Sequence, residues 1–173
     1  IDLTGDETRT LREGEILFEK KDHYVSKSPE QTRKIGAFII DKALKKSKGD
    51  PVTIILKGDL GTGKTEMTRG IAQFLGIEKV VSPTFVIYYE YAIPEEKGLQ
   101  YKQFVHADLY NITDPKEFEH LGLKHYLEKP SVLIFEWGEK LGDMYDIFSK
   151  KAHVIFVEIR HTNETQREIE IKL

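Results

Sequence analysis

Val52-Thr-Ile-Ile-Leu56 leads almost directly into Gly58-Asp-Leu-Gly-Thr-Gly-Lys-Thr65, and an amphipathic segment follows from Lys64 to Leu75 before Gly76. The first five residues are apolar or β-branched without alternation, as in a strand covered on both faces of a parallel sheet. The next eight match G-x-x-x-x-G-K-[ST] at every fixed position. A chance match is expected in on the order of 1% of chains of this length at average composition, before the flanking strand and helix are required. Glycines let the backbone turn so that successive N–H groups face a phosphate chain, and the N-terminus of the following helix adds positive potential. In that reading Lys64 bridges the β- and γ-phosphates from a surface loop, and Thr65 offers a hard oxygen to magnesium.

Outward from this unit the pattern is that of an α/β domain. Upstream, Ser28-Pro-Glu-Gln31 carries an N-cap, a proline at the first helical position and a capping-box glutamine. Ile35, Phe38, Ile39, Lys42, Ala43 and Lys46 then recur at helical spacing up to the loop at Gly49-Asp50. Before Ser28 only Glu15–Glu19 and His23–Val25 suit short strands. Downstream, strands are expected at Phe85–Tyr91, Phe104–Ala107 and Val132–Phe135, continuing a β-α-β alternation. Asp114-Pro-Lys-Glu117 predicts another helix start, and His153–Ile159 with Glu168–Ile171 a terminal hairpin. The expected fold is a three-layer P-loop NTPase-like α/β domain with a largely parallel central sheet and a C-terminal β-hairpin. It spans 1–173 as one domain, with 1–27 as an N-terminal extension.

Composition excludes several classes. There is no cysteine, hence no disulfide scaffold, thiolate metal site or cysteine nucleophile. No apolar run approaches membrane-spanning length, and a cytoplasmic setting with no membrane partner is the expectation. The net charge of −3 lacks the basic footprint of a protein that grips nucleic acid alone. Any RNA involved is expected to be held by a partner.

A magnesium–nucleotide site usually adds a carboxylate at the end of a neighbouring strand. Two candidates stand here, Asp108 after Phe104-Val-His-Ala and Glu136 after Val132-Leu-Ile-Phe, the second on the cleaner apolar run. Which of them orients an attacking water is left open by the sequence. Thr84, in Ser82-Pro-Thr-Phe85, lies where nucleotide-sensing loops occur and is a candidate for the γ-phosphate side. His106 reads as a structural hydrogen-bonding residue or a general base, and Trp137 as a packing residue or a partner contact.

GDLGTGKT, SPTF, HADLY and FEWGE, in that order, resemble the TsaE family from about Ser28 to the C-terminus. The resemblance implies a magnesium-dependent ATPase that acts with TsaB and TsaD in making threonylcarbamoyladenosine in tRNA, with tRNA engaged through the complex. Carried over by position, the nucleotide loop falls on Gly58, Gly61, Thr62, Gly63, Lys64, Thr65 and Glu66. Thr65 and Glu136 take the magnesium side, Asp108 the essential acid, and Trp137 its usual place after the glutamate. Arg167 matches a basic position near the nucleotide, and Thr32 a threonine early in the first helix. The family usually has arginine where this chain has Asn111, which implies slow hydrolysis by the chain alone. Competing readings are a non-catalytic nucleotide-gated module and a small-molecule P-loop kinase. A GTPase is disfavoured, since neither N-K-x-D nor a later D-x-x-G occurs.

Overall fold

The computed structural model describes residues 21–83, 86–114, 117 and 120–172. Its strands are β1 Lys21–Ser26, β2 Val52–Lys57, β3 Tyr88–Ala92, β4 Gln103–Asp108, β5 Ser131–Glu136, β6 His153–His161 and β7 Arg167–Lys172. The helices whose bounds are described are α1 Pro29–Ser47, α2 Lys64–Phe74 and α3 Met144–Lys151, with 3₁₀ turns at Glu95–Lys97, Leu123–Glu128 and Gly138–Leu141.

One seven-stranded sheet runs in the order β1-β7-β6-β2-β5-β4-β3. The four central strands β6, β2, β5 and β4 are parallel, whereas β3 joins β4, β7 joins β6 and β1 joins β7 antiparallel. The apolar run of β2 is explained by its place in the middle. Ile54 and Leu56 face the layer formed by α1 and α2, with Phe104, Val132, Ile134, Met67 and Ile71. Ile55 faces the opposite layer, where Val105, Leu133, Phe135, Met144 and Phe148 gather. Ile54, Leu56, Met67 and Ile71 are fully buried, each worth about 1.5–3 kcal/mol relative to exposure.

Helix α1 starts as its sequence dictates: Ser28 Oγ accepts from Gln31 N at 3.2 Å, and Gln31 Oε1 returns to accept from Lys27 N at 2.7 Å. Helices α1 and α2 cross closely because two glycines leave room. A Cβ on Gly70 would lie 2.0 Å from Arg33 O, and one on Gly36 2.6 Å from Met67 O.

Several sequence expectations are corrected. The strand expected at Phe85–Tyr91 is Tyr88–Ala92, and it turns back antiparallel onto β4 instead of continuing the β-α-β alternation. A hairpin suffices there because β3 is an edge strand exposed along much of its length. His23–Val25 acquires a role as part of β1 on β7. Helix α3 was not anticipated. Glu15–Glu19, Thr84, Phe85 and most of the segment after Asp114 lie outside the described residues, although Glu117 Oε1 does accept from Thr113 Oγ1 at 3.1 Å.

Candidate functional site

The loop between β2 and α2 is built by backbone conformations that glycine favours. Gly58 has φ 152°, and a Cβ there would fall 2.4 Å from Ile159 O on the neighbouring strand. Gly63 has φ 106° and takes the N-cap position of α2, where no side chain caps the helix and its first amides stay directed at the loop. Thr62 is buried, its Oγ1 donating to Asp59 O at 2.9 Å.

Lys64 is 5% exposed, so the expected surface lysine is in fact enclosed. Its Nζ donates to Gly58 O at 2.6 Å and Asp59 O at 2.8 Å, and it stands 4.0 Å from the centre of the Trp137 ring. Burial holds its pKa below the ordinary lysine value, against the pull of Glu136, Glu139, Asp108 and Asp59. The cation thus has two carbonyl acceptors and one aromatic face around it, and it lines the cleft.

The two candidate acids are register partners at the ends of β4 and β5, Asp108 opposite Glu136. Their environments differ. Glu136 is 2% exposed: Thr65 Oγ1 donates to its Oε2 at 3.0 Å, while Thr68 Oγ1 at 3.1 Å and His106 Nε2 at 2.8 Å meet its Oε1. If Nε2 donates in this contact, the buried Nδ1 is left as an acceptor with no hydrogen-bond partner among the described residues. Asp108 is half-buried and accepts from Tyr110 N at 2.9 Å. Burial pushes its carboxyl above the ordinary aspartate value and Glu136 adds to this, against the Tyr110 N–H, His106 and Lys64.

Trp137 follows Glu136 with φ 58°, a left-handed conformation that is costly for a bulky residue. It turns β5 into the 3₁₀ turn and brings the indole beneath Lys64 and 5.2 Å from the Tyr110 ring. A cleft of about 610 Å³ opens over this group. Gly61, Gly63, Lys64, Thr65, Glu66, Asp108, Glu136 and Trp137 line it, with Ser82, Pro83, Tyr110 and Asn111 on the facing wall.

Behind the loop is a second hollow of about 350 Å³, bordered by Thr32, Gly61, Thr62, Gly63, Glu66 and Arg167. Thr32 is buried and shares a 2.8 Å hydrogen bond with Ser26 Oγ; Arg167 Nη1 donates to Asn163 O, Glu164 O and Gln166 O. Glu66 separates the two spaces and is paired with Arg33 at 3.2 Å and with Arg69. The chain thus gathers every candidate in or around the loop except Thr84, which lies outside the described residues; Gly58 opens the loop and does not line the cleft. Sequence reading named no separate role for Thr68 or Tyr110. Both carried a signal: Tyr110 closes the quoted HADLY, and Thr68 lies three residues after Thr65 and hence on the same face of α2.

Comparison with known proteins agrees with this architecture. A family model described as "Threonylcarbamoyl adenosine biosynthesis protein TsaE" matches residues 26–169. The Bacillus subtilis protein named tRNA threonylcarbamoyladenosine biosynthesis protein TsaE is 34% identical over 143 residues, covering 82% of this chain and 79% of its own. A Haemophilus influenzae protein of the same name is 40% identical over 90 residues, 51% of this chain and 53% of its own, so that match spans about half of the relative's length. The crystal structure of Bacillus subtilis YdiB superposes with a TM-score of 0.61 at 25% identity, over 88% of this chain and 84% of that one. The glycine-rich loop between β2 and α2, the two acids on neighbouring parallel strands and a family match over most of the sequence lead to one assignment: the chain is a P-loop protein that belongs to the TsaE family.

Proposed function

We propose that this chain binds ATP with magnesium and hydrolyses it as the nucleotide-driven component of tRNA threonylcarbamoyladenosine synthesis, in the cytoplasm, together with TsaB and TsaD. The observation that carries the reading is the convergence of Lys64, Thr65, Asp108 and Glu136 on one cleft at the N-terminus of α2. The loop amides from Gly61 to Thr65 would hold the phosphates, and Thr32 and Arg167 border a hollow that would take the adenosine.

The donor set suits magnesium. Among the described residues no three His, Asp or Glu side chains cluster to hold a metal, and the Thr65 hydroxyl beside the Glu136 carboxylate offers only hard oxygens. That is the sparse protein contribution expected where phosphate and water complete an octahedron. The ion supplies neutralisation of the charge that spreads over the phosphoryl oxygens.

The remaining work belongs to the chain. Lys64 exchanges its bonds to Gly58 O and Asp59 O for phosphate oxygens. Glu136, with both oxygens already engaged, holds the Thr65 hydroxyl in orientation. Asp108, half-open to the cleft and with a raised proton affinity, is the group that orients the attacking water and takes up its proton.

The test is ATP turnover by the purified chain with and without TsaB and TsaD, using Lys64→Ala as the binding-deficient control. Asp108→Ala and Glu136→Ala are expected to lose turnover while Asp108→Ala keeps nucleotide affinity in calorimetry. Binding without turnover under any of these conditions would leave a nucleotide-gated module in place of an ATPase.

A further inference from the structure

Residues 108–112 carry Asp108 out of β4 and across the cleft wall. Their amides are well placed: Asp108 N donates to Ile87 O at 3.0 Å, Leu109 N to Glu136 O at 3.0 Å, Tyr110 N to Asp108 Oδ1 at 2.9 Å and Ile112 N to Leu109 O at 3.0 Å. The carbonyls of Tyr110 and Ile112 are served by a residue from another turn. Lys140 Nζ donates to both, to Ile112 O at 3.2 Å and more closely to Tyr110 O, and stands 5.6 Å from the centre of the Tyr110 ring. Tyr110 in turn meets Trp137, and Trp137 meets Lys64. A continuous stack therefore runs Lys140, Tyr110, Trp137, Lys64, from the outer side of the wall to the cation of the loop.

We infer that Lys140 is a positioning residue for hydrolysis: its ammonium clamps the 108–112 loop so that Asp108 and the Tyr110–Trp137 pair keep their places beside Lys64. The inference rests on the ATPase reading above. The chemistry favours a clamp over a bystander for three reasons. Among the described residues Lys140 forms no ion pair, so its charge is spent on the two carbonyls. Charge-assisted bonds to a carbonyl are about twice as strong as neutral ones. Both carbonyls flank Asn111, and residues 110–112 line the same cleft as the nucleotide loop. Lys140 itself does not line the cleft and is assigned no contact with nucleotide. Its effect passes through Asp108 and Trp137.

The experiment compares wild type, Lys140→Met and Lys140→Arg at a fixed partner concentration. Lys140→Met keeps the stem that packs along the wall and removes the donor. Its kcat is expected to fall about tenfold, inside the roughly hundredfold that a 1 Å misplacement costs, while KM for ATP and calorimetric affinity stay within twofold of wild type. Hydrogen exchange should quicken at Tyr110 and Ile112 and not in α1. Lys140→Arg, which can still reach two carbonyls, should restore most of the rate. A merely structural lysine would move the melting temperature without this split between kcat and KM, and without rescue by arginine. Unchanged kcat in Lys140→Met, or equal loss in both variants, overturns the inference. Absence of turnover in wild type with partners present refutes the ATPase reading on which it rests, and the clamp with it; the exchange data would then report only on loop order.

Discussion

Asp108 and Glu136 sit opposite each other on adjacent strands, yet they answer to different physics. Glu136 is enclosed and fully bonded, with Thr65, Thr68 and His106 around it. Asp108 has the Tyr110 N–H and the cleft. Its raised pKa has a sign that can be worked through. The folded chain holds this proton more tightly than the unfolded one, so the stability contributed is present below the unfolded value and is lost as pH rises through the folded value. Once pH exceeds the folded value, the ionised carboxylate therefore costs stability. Asp108→Asn, which keeps an oxygen for Tyr110 N, should melt higher than wild type at neutral pH, and the difference should vanish below about pH 4. Thermal melts of both proteins across that range test this; an Asn variant that melts lower at neutral pH would contradict the assignment of burial as the dominant cause. Its hydrolysis should be lost at the same time, which is a stability–activity trade at a single residue.

At the scale of elements, the crossing of α1 over α2 decides where the nucleotide loop is held. Gly70→Ala gains about 1 kcal/mol of helix propensity but places a methyl against Arg33 O, a backbone atom that cannot swing aside. The overlap should dominate, and the expected net loss is about 1–3 kcal/mol in urea denaturation. A midpoint equal to or above wild type would mean that the helices slide apart freely. The strand–loop–helix unit of residues 52–75 was legible in the sequence because each local signal there agrees with the fold: continuous apolar strand, glycines at left-handed positions, and an amphipathic helix that ends at Gly76. Helix α3 was not, since Met144 and Phe148 are its only buried residues and no side chain caps its start. The β3–β4 hairpin was misread because its apolar residues are those of any strand, and pairing direction is written in the turn and in edge exposure. The site was legible to the same degree. The loop and the two acids announce themselves by motif, while His106 on Glu136, Trp137 under Lys64 and Lys140 on the 110–112 carbonyls are long-range contacts that no spacing encodes.

Across the whole molecule, the central parallel strands present their C-terminal ends, and with them the loop and both acids, at one edge, the place where open α/β sheets take ligands. The antiparallel wing β6-β7-β1 lies to one side of this cleft and carries Arg167 at the start of β7. Strand β7 is bonded on both sides, to β6 and to β1, so ending the chain after Gln166 removes two ladders at once. That truncated chain is expected to lose a cooperative thermal transition by circular dichroism and to be cut rapidly by protease; a wild-type-like melt would show the wing to be dispensable. The same pairing has a temporal consequence. On the ribosome, β1 has no ladder partner among the described residues until residues 167–172 have been translated, which at roughly 5–20 residues per second is a wait of roughly 7–30 s. Throughout that interval the nascent chain carries β1 without its β7 ladder while α1, β2 and α2 are already available to collapse, so among the described strands the earliest translated is seated only together with the latest.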